Sequence, residues 1–377
     1  MLKIALKMLF GDRTKYAILV LGIAFATLLI NQQGAIFLGL LVRATGPLQN
    51  VHQPDLWVSD PGVRFIAEYR PLAEQKLNRV RSVPGVMWAE PLINNWAVVE
   101  LDDGRFEKVN IIGLPRTSMV GQPPEITRGN IDDLRAPGAV IIEESSLPRL
   151  GNVGIGDTLR LNDKRAVVVG LCKAKKGFES NLLMYATIDN VLSFTPSQRR
   201  NISYIVVKCQ SPADIPKVQA AINELGDIRA FTRDEFALRT IDFILKETGI
   251  GVNFGITIVL GFIVGVLLSA AVFYQFTTEN LRQFAVLKAL GVTGMRLTGM
   301  VLLQAMIVGL IGYGVGVGAA SAFTIITRKA TAELDAMLPW QLLLGSLIAM
   351  MVCMLLASLL SLRRVLKVAP GLVFSGS

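Results

Sequence analysis

One histidine, three cysteines and 18% charged residues are all that this 377-residue chain offers for chemistry. The histidine, His52, has no His, Cys or carboxylate partner at metal-ligand spacing, so it reads as an ordinary surface residue. H-E-x-x-H is missing, and Gly-x-Ser-x-Gly occurs nowhere with the strand-turn-helix context of a nucleophile elbow. No G-x-x-x-x-G-K-[ST] is present, which excludes a phosphate cradle of that kind. The carboxylate pairs Asp102/Asp103, Asp132/Asp133 and Glu143/Glu144 fall in turn or edge contexts and read as solvated surface. Enzymatic activity, a metal and a cofactor are therefore not expected of this chain by itself.

Charge is absent altogether from four windows, 16–42, 248–278, 297–327 and 336–362. Each exceeds the roughly 20 residues that cross about 30 Å of hydrocarbon. Between the first two lie some 200 polar residues, enough to bury a core of their own. The expected fold is an α-helical membrane protein with four transmembrane helices and a large α+β extracytoplasmic domain inserted between helices 1 and 2. The net charge of +9 does not point to nucleic acid, because residues 44–247 hold 25 basic and 25 acidic side chains. The excess flanks the windows, in Lys3, Lys7, Arg13 and Lys15, in Arg282, Lys288 and Arg296, and in Arg363, Arg364 and Lys367. The positive-inside rule then places both termini (1–15 and 363–377) and segment 279–296 in the cytoplasm. Residues 43–247 and the short loop 328–335 fall outside.

Residues 1–15 alternate basic and apolar positions and read as an interfacial amphipathic helix. Ala24-Phe-Ala26 resembles a cleavage site, but the apolar run continues well past it, so an uncleaved anchor is expected. Asn31, Gln32 and Gln33 place three amides late in the first window, fit either for hydrogen bonds between helices or for handling a substrate. In the inserted domain, strand patterns occur at 55–58, 97–101, 109–113, 139–143, 158–161, 166–171 and 203–208. Helical patterns cover about 70–82, 212–225 and 233–246, the last expected to run straight toward the second window. Asp102-Asp-Gly104 and Leu161-Asn-Asp163 read as hairpin turns, and 114–137 as loop. Cys172 and Cys209 end strand-like runs, either as buried free thiols or as a disulfide; Cys353 reads as packing within the last window.

Glycines four apart recur in the windows, as Gly251/Gly255, Gly261/Gly265, Gly312/Gly316 and Gly314/Gly318. Such spacing lets helix backbones approach closely in lipid, within one chain or between two copies. The run Gly312-Tyr-Gly-Val-Gly316 resembles a potassium filter, but it lies inside one continuous window rather than a re-entrant loop. Behind the second window stands ENLRQFAVLKALG, 279–291. Leu281, Phe284, Ala285, Leu287 and Leu290 keep helical spacing, with Glu279, Arg282 and Lys288 accessible and Gly291 at the C-cap position. It reads as a short amphipathic helix at the membrane surface.

Two motifs and the order of parts carry a resemblance. Residues 279–291 are similar to the E-R-x-x-E-[IF]-[AG]-x-L-[KR]-A-[LM]-G coupling segment of the MacB/FtsX-like permeases of ABC transporters. Residues 156–170, GDTLRLNDKRAVVVG, resemble the outward-domain pattern of that family. The chain looks most like the DevC-type permeases, and the likeness in layout covers nearly its whole length. It departs at Asn280, where the family often has Arg, and at Gln283, where an acidic residue is usual. The resemblance implies an ATPase-coupling site at Glu279, Arg282, Gln283, Phe284, Leu287, Lys288, Ala289 and Gly291, with Phe284 and Leu287 as apolar anchors in a partner's groove. It also implies a separate cytoplasmic ATPase subunit that holds ATP and Mg, a second permease copy, and a periplasmic membrane-fusion adaptor with an outer-membrane channel. The implied task is export of a hydrophobic or lipid-like substrate. Lipoprotein release, or FtsX-like control of cell-wall hydrolases, are the alternatives.

Overall fold

The computed structural model describes residues 13–68, 70–178, 182–195, 201–330 and 336–367. The amphipathic segment expected at 1–15 lies almost wholly outside these residues, as do 331–335 of the expected outer loop and the tail from 368. The chain divides into two compact units, one of residues up to Gly39 and from Ile250 onward, the other Leu40–Gly249. Helix α1 (Arg13–Ala44) contains the first membrane span and is followed at once by the short helix α2 (Gly46–Asn50).

The inserted unit starts as a split βαβ arrangement. Strands β1 (Leu56–Ser59), β2 (Val86–Glu100), β9 (Tyr204–Cys209) and β10 (Arg229–Thr232) lie in the order β10-β1-β9-β2, every pair antiparallel. Alternation sorts their side chains. Leu56, Val58, Ile205, Val207 and Ala230 pack with Leu77 and Val80 of α3 (Glu74–Arg81) and with Val218 and Ile222 of α5 (Ile215–Asn223). Trp57, Tyr204, Val206 and Phe231 face the other way, with Phe236 of α6 (Arg233–Lys246). A capping box between Thr232 and Glu235 starts α6.

Between β2 and β9 the chain builds a second sheet that closes on itself. From β2 it passes to β3 (Phe106–Leu114), β8 (Leu183–Thr187), β5 (Ala139–Glu143), β7 (Lys164–Lys173) and β6 (Thr158–Leu161), and β6 pairs back onto Val99 and Glu100 of β2. Closure leaves few open edges, and β4 (Glu125–Gly129) pairs antiparallel with the end of β7, Glu125 opposite Lys173 and Gly129 opposite Gly170. The ring is filled by Ala97, Val99, Val109, Ile111, Val140, Ile142, Ala166, Val168 and Met184. Both expected hairpin turns are present: Gly104 takes φ 81° before β3, and Asn162 and Asp163 take φ 44° and 63° between β6 and β7.

Several expectations change. The stretch 114–137 is not all loop, since it holds β4 and a 3-10 turn at Ile131–Arg135. Strand β8 and helix α4 (Ile188–Phe194) were not foreseen, because LMYAT is buried on both faces and shows no alternation. Glu143 is not solvated surface but 6% exposed. Helix α6 stops at Lys246, and Gly249 turns to φ 70° before the next helix, so the two do not form one straight run.

The membrane unit completes the four spans with α7 (Ile250–Glu279), α9 (Gly294–Ala330) and α10 (Trp340–Lys367), while α8 (Leu281–Ala289) stands between α7 and α9. Among the described residues, four helices are long and apolar enough to cross a membrane, over Tyr16–Ala44, Ile250–Glu279, Gly294–Thr327 and Trp340–Leu359. Glu279 is thus the last residue of α7, and α10 continues past its apolar stretch through Arg363 and Arg364.

Candidate functional site

The junction between α7 and α8 is made by Asn280. Its side chain donates to the Phe276 carbonyl at 2.8 Å, the same oxygen that accepts its backbone N–H at 3.1 Å. The other end of α8 is a Schellman motif. Val292 N donates to Leu287 O and Gly291 N to Lys288 O, both at 3.1 Å, with Gly291 at φ 84°. Its usual apolar contact is present as well, since Leu287 and Val292 pack in one cluster with Phe284, Leu297, Met300 and Val301. Helix α8 is therefore closed at its C-terminus and bolted sideways to α9.

That bolt corrects the assignment of anchors. Phe284 is 0% exposed and Leu287 half-buried, so they hold α8 to its own chain and do not project toward a partner. The outward edge is formed by Arg282, Gln283, Val286, Ala289 and Leu290, and continues to Met295 at the start of α9. Leu290 is 76% and Met295 86% exposed, a cost in water that apolar contact with a partner would remove. Glu279 is exposed at the end of α7 and bonded by Gln275 at 3.1 Å; Lys288 is half-buried and Gly291 exposed. Sequence reasoning missed Val286, Leu290 and Met295 as the apolar edge. The available signal was that Leu287, as partner of Val292 in the cap, could not also face outward.

The paired glycines divide by face. A Cβ on Gly312 would come within 2.7 Å of Ile23, and one on Gly316 within 2.5 Å of the Ala24 carbonyl, so these two seat α9 against α1. Gly265 meets Ala26 at 2.9 Å, and Gly261 lies in ordinary contact with Leu29 and Ile30. Gly255, Gly314 and Gly318 face open space, and Gly251 is half-buried. A polar knot ties three spans: Ser346 donates to the Asn31 side-chain oxygen at 2.9 Å, Asn31 to Thr27 O at 2.9 Å, and Tyr313 to Leu343 O at 2.6 Å. Asn31 therefore serves helix contact, while Gln32 and Gln33 are half-buried.

In the inserted domain, His52 is exposed, 3.4 Å from an Arg233 nitrogen. Cys172 and Cys209 are buried free thiols on β7 and β9. Those strands are not neighbours, so at least two strand spacings, about 10 Å, separate them, beyond the roughly 7 Å limit for a bridge. Burial raises both thiol pKa values, that of Cys209 to about 11. Among the described residues no group of three His, Cys, Asp or Glu side chains could hold a metal.

Comparison with known proteins agrees with this layout. A family model for the MacB-like periplasmic core domain matches residues 16–225, and one for the FtsX-like permease C-terminal region matches 255–370. A protein of Mycobacterium tuberculosis strain H37Rv named as an uncharacterized ABC transporter permease is 25% identical over 309 residues, covering 81% of this chain and 80% of its own. A Mycobacterium bovis protein of the same description is 24% identical over 308 residues, with the same coverage. The periplasmic region of MacB from Actinobacillus actinomycetemcomitans aligns with 53% of this chain and 96% of its own at 14% identity, with a TM-score of 0.37, too low to bear on details. With two such domains in order around four membrane helices, the chain belongs to the MacB/FtsX-like family of ABC transporter permeases and is a multi-pass protein of the inner membrane.

Proposed function

We propose that this permease works by mechanotransmission, with α8 as the lever on which a separate ATPase subunit acts. That subunit binds ATP and Mg, and its closure pushes the outward edge of α8. The push passes into α7 and α9, to which α8 is fixed, and from there to the periplasmic domain. The substrate is hydrophobic or lipid-like and is taken up outside the membrane, then passed through a periplasmic adaptor to an outer-membrane channel, as the DevC-like motifs imply. A second copy pairs through the membrane helices, and the open face of Gly314 and Gly318 offers a surface for it. The basic clusters support an orientation with both termini and α8 in the cytoplasm.

The observation that carries this reading is the outward edge of α8. A helix closed by a bonded C-terminal cap and held by a fully buried Phe284 nevertheless leaves Val286 and Leu290 in the open, beside Arg282. The test is Val286→Asp with Leu290→Asp. The double variant is expected to insert normally and to lose both the co-purified ATPase subunit and its stimulated turnover. Retention of both by an inserted variant would remove α8 from the proposed contact.

A further inference from the structure

Strand β2 passes from the split βαβ sheet, where Leu92 pairs with Tyr204, into the ring, where Ile93 pairs with Gly113. Beside that crossing the inserted domain encloses a cavity of about 40 Å³. Its floor is Trp57, Ile66, Leu92, Leu183, Tyr185 and Tyr204, each at most 3% exposed. Its rim is Pro47, Asn94, Ile112, Lys175 and Gly177, which water reaches. An apolar cavity of roughly 150 Å³ takes benzene, so this one has room for about two or three heavy atoms.

Polar side chains around the cavity bond within the domain. Tyr204 OH donates to Ile66 O at 2.5 Å. The Asn50 amide donates to Lys175 O at 2.7 Å and accepts from Lys175 N at 2.8 Å. Asn110 Nδ2 donates to Asn94 Oδ1 at 2.5 Å and to Asn95 O at 3.3 Å. Trp57 differs. Among the described residues of the inserted domain, its Nε1 is the one buried side-chain nitrogen or oxygen without a partner. Edge-to-face contacts with Tyr204 and Phe236, centroids 5.7 and 6.4 Å apart, fix the ring but supply no acceptor. A donor buried in this way costs free energy that an oxygen in the cavity recovers. A water there needs about two to four polar partners, whereas the floor is mainly aliphatic and aromatic carbon. A carboxylate or phosphate is unsuited as well, since one neutral donor does not replace the water that a charge gives up. A neutral oxygen on a carbon chain meets both conditions.

We propose that this cavity binds the oxygen-bearing end of a neutral, lipid-like molecule, a long-chain alcohol, ketone or ester, with Trp57 Nε1 donating to that oxygen. The end enters past Asn94 and Lys175, and the chain lies outward over Pro47 and Ile112. This site stands on the inserted domain by itself and is independent of how an ATPase acts on α8. The chain has four tryptophans, so its indole N–H signals are few, and Trp57→Phe identifies the one concerned. The full chain in nanodiscs is titrated with 1-hexanol, hexane and hexanoate. Hexanol should move the Trp57 indole resonance downfield and saturably, leaving those of Trp96 and Trp340 in place. Hexane should need about ten times the concentration, the worth of one net hydrogen bond, and hexanoate should not bind. In Trp57→Phe, followed through the methyl signals of Ile66 and Ile112, the preference for hexanol over hexane should vanish. Ile112→Tyr narrows the rim and should raise the half-saturating hexanol concentration several-fold. If Trp57→Phe does not fold, Ile112→Tyr decides, because it leaves Trp57 in place. A Trp57 resonance already at its bonded position and unmoved by hexanol would mean that a trapped water answers the indole, and would overturn the site. Equal binding of hexane and hexanol by the wild type, or hexanol binding indifferent to Ile112→Tyr, would overturn it too.

Discussion

At the scale of single residues, Gly291 shows how much one backbone angle does. It holds φ 84° and its N–H closes on Lys288 O, which ends α8 and turns the chain toward α9. A β-branched side chain is strained in that region by about 1–2 kcal/mol. Gly291→Val is expected to speed amide exchange across 281–292 by roughly tenfold, since about 1.4 kcal/mol is a factor of ten. Unchanged exchange would mean that the cap does not govern the helix. Glu68 is a second such residue. Burial pushes its pKa up, but hydrogen bonds from the Arg64 side chain and backbone outweigh this and hold it below the ordinary 4.5. A lowered carboxylate pKa contributes stability above the unfolded value and loses it as pH falls through the folded one. Titration from pH 6 downward should therefore leave the Arg64–Glu68 bridge intact to below 4.5 and then release it, read as faster exchange near Arg64. Release well above 4.5 would contradict the structure.

At the scale of elements, the packing of α9 on α1 turns on which glycines face inward. Gly312 and Gly316 leave no room for a Cβ, because backbone and branched side chains of α1 stand against them. Gly316→Leu should cost about 1–3 kcal/mol by overpacking and lower the thermal stability of the purified protein. Gly318→Leu meets nothing within 4 Å in its own chain and should leave the stability of the single, detergent-separated copy unchanged. Equal effects from both would mean that α9 is rotated from the orientation described. The spacing of these glycines was legible in the sequence, but both sets have the same spacing, and only the position of α1 separates them. Helix α8 was legible in the same partial way. Periodicity and Gly291 marked its length, while the inward direction of Phe284 depends on Leu297, Met300 and Val301, which belong to the next helix. Strand β8, missed by sequence reasoning, is buried on both faces and carries no alternating signal, whereas β4, also missed, is a short and largely exposed strand.

At the scale of the whole molecule, the sheet decides what the cysteines can do. Cys172 and Cys209 lie on strands with no ladder in common, and burial keeps both thiols protonated at neutral pH. Reductant is expected to leave the unfolding temperature unchanged, and alkylation of the denatured, unreduced protein should find both thiols free. A reductant-sensitive transition would contradict the strand order. The sequence by itself determined the four membrane helices, the size and α+β class of the inserted domain and the family. Those follow from run length, charge and local motifs, which are properties of neighbours along the chain. The tertiary structure alone decided that β2 serves two sheets, that Glu143 is buried against Lys176, and that α8 shows Val286 and Leu290 outward. Each of these depends on which surfaces meet after residues far apart in sequence are brought together, and burial in a given place is not encoded in any one segment.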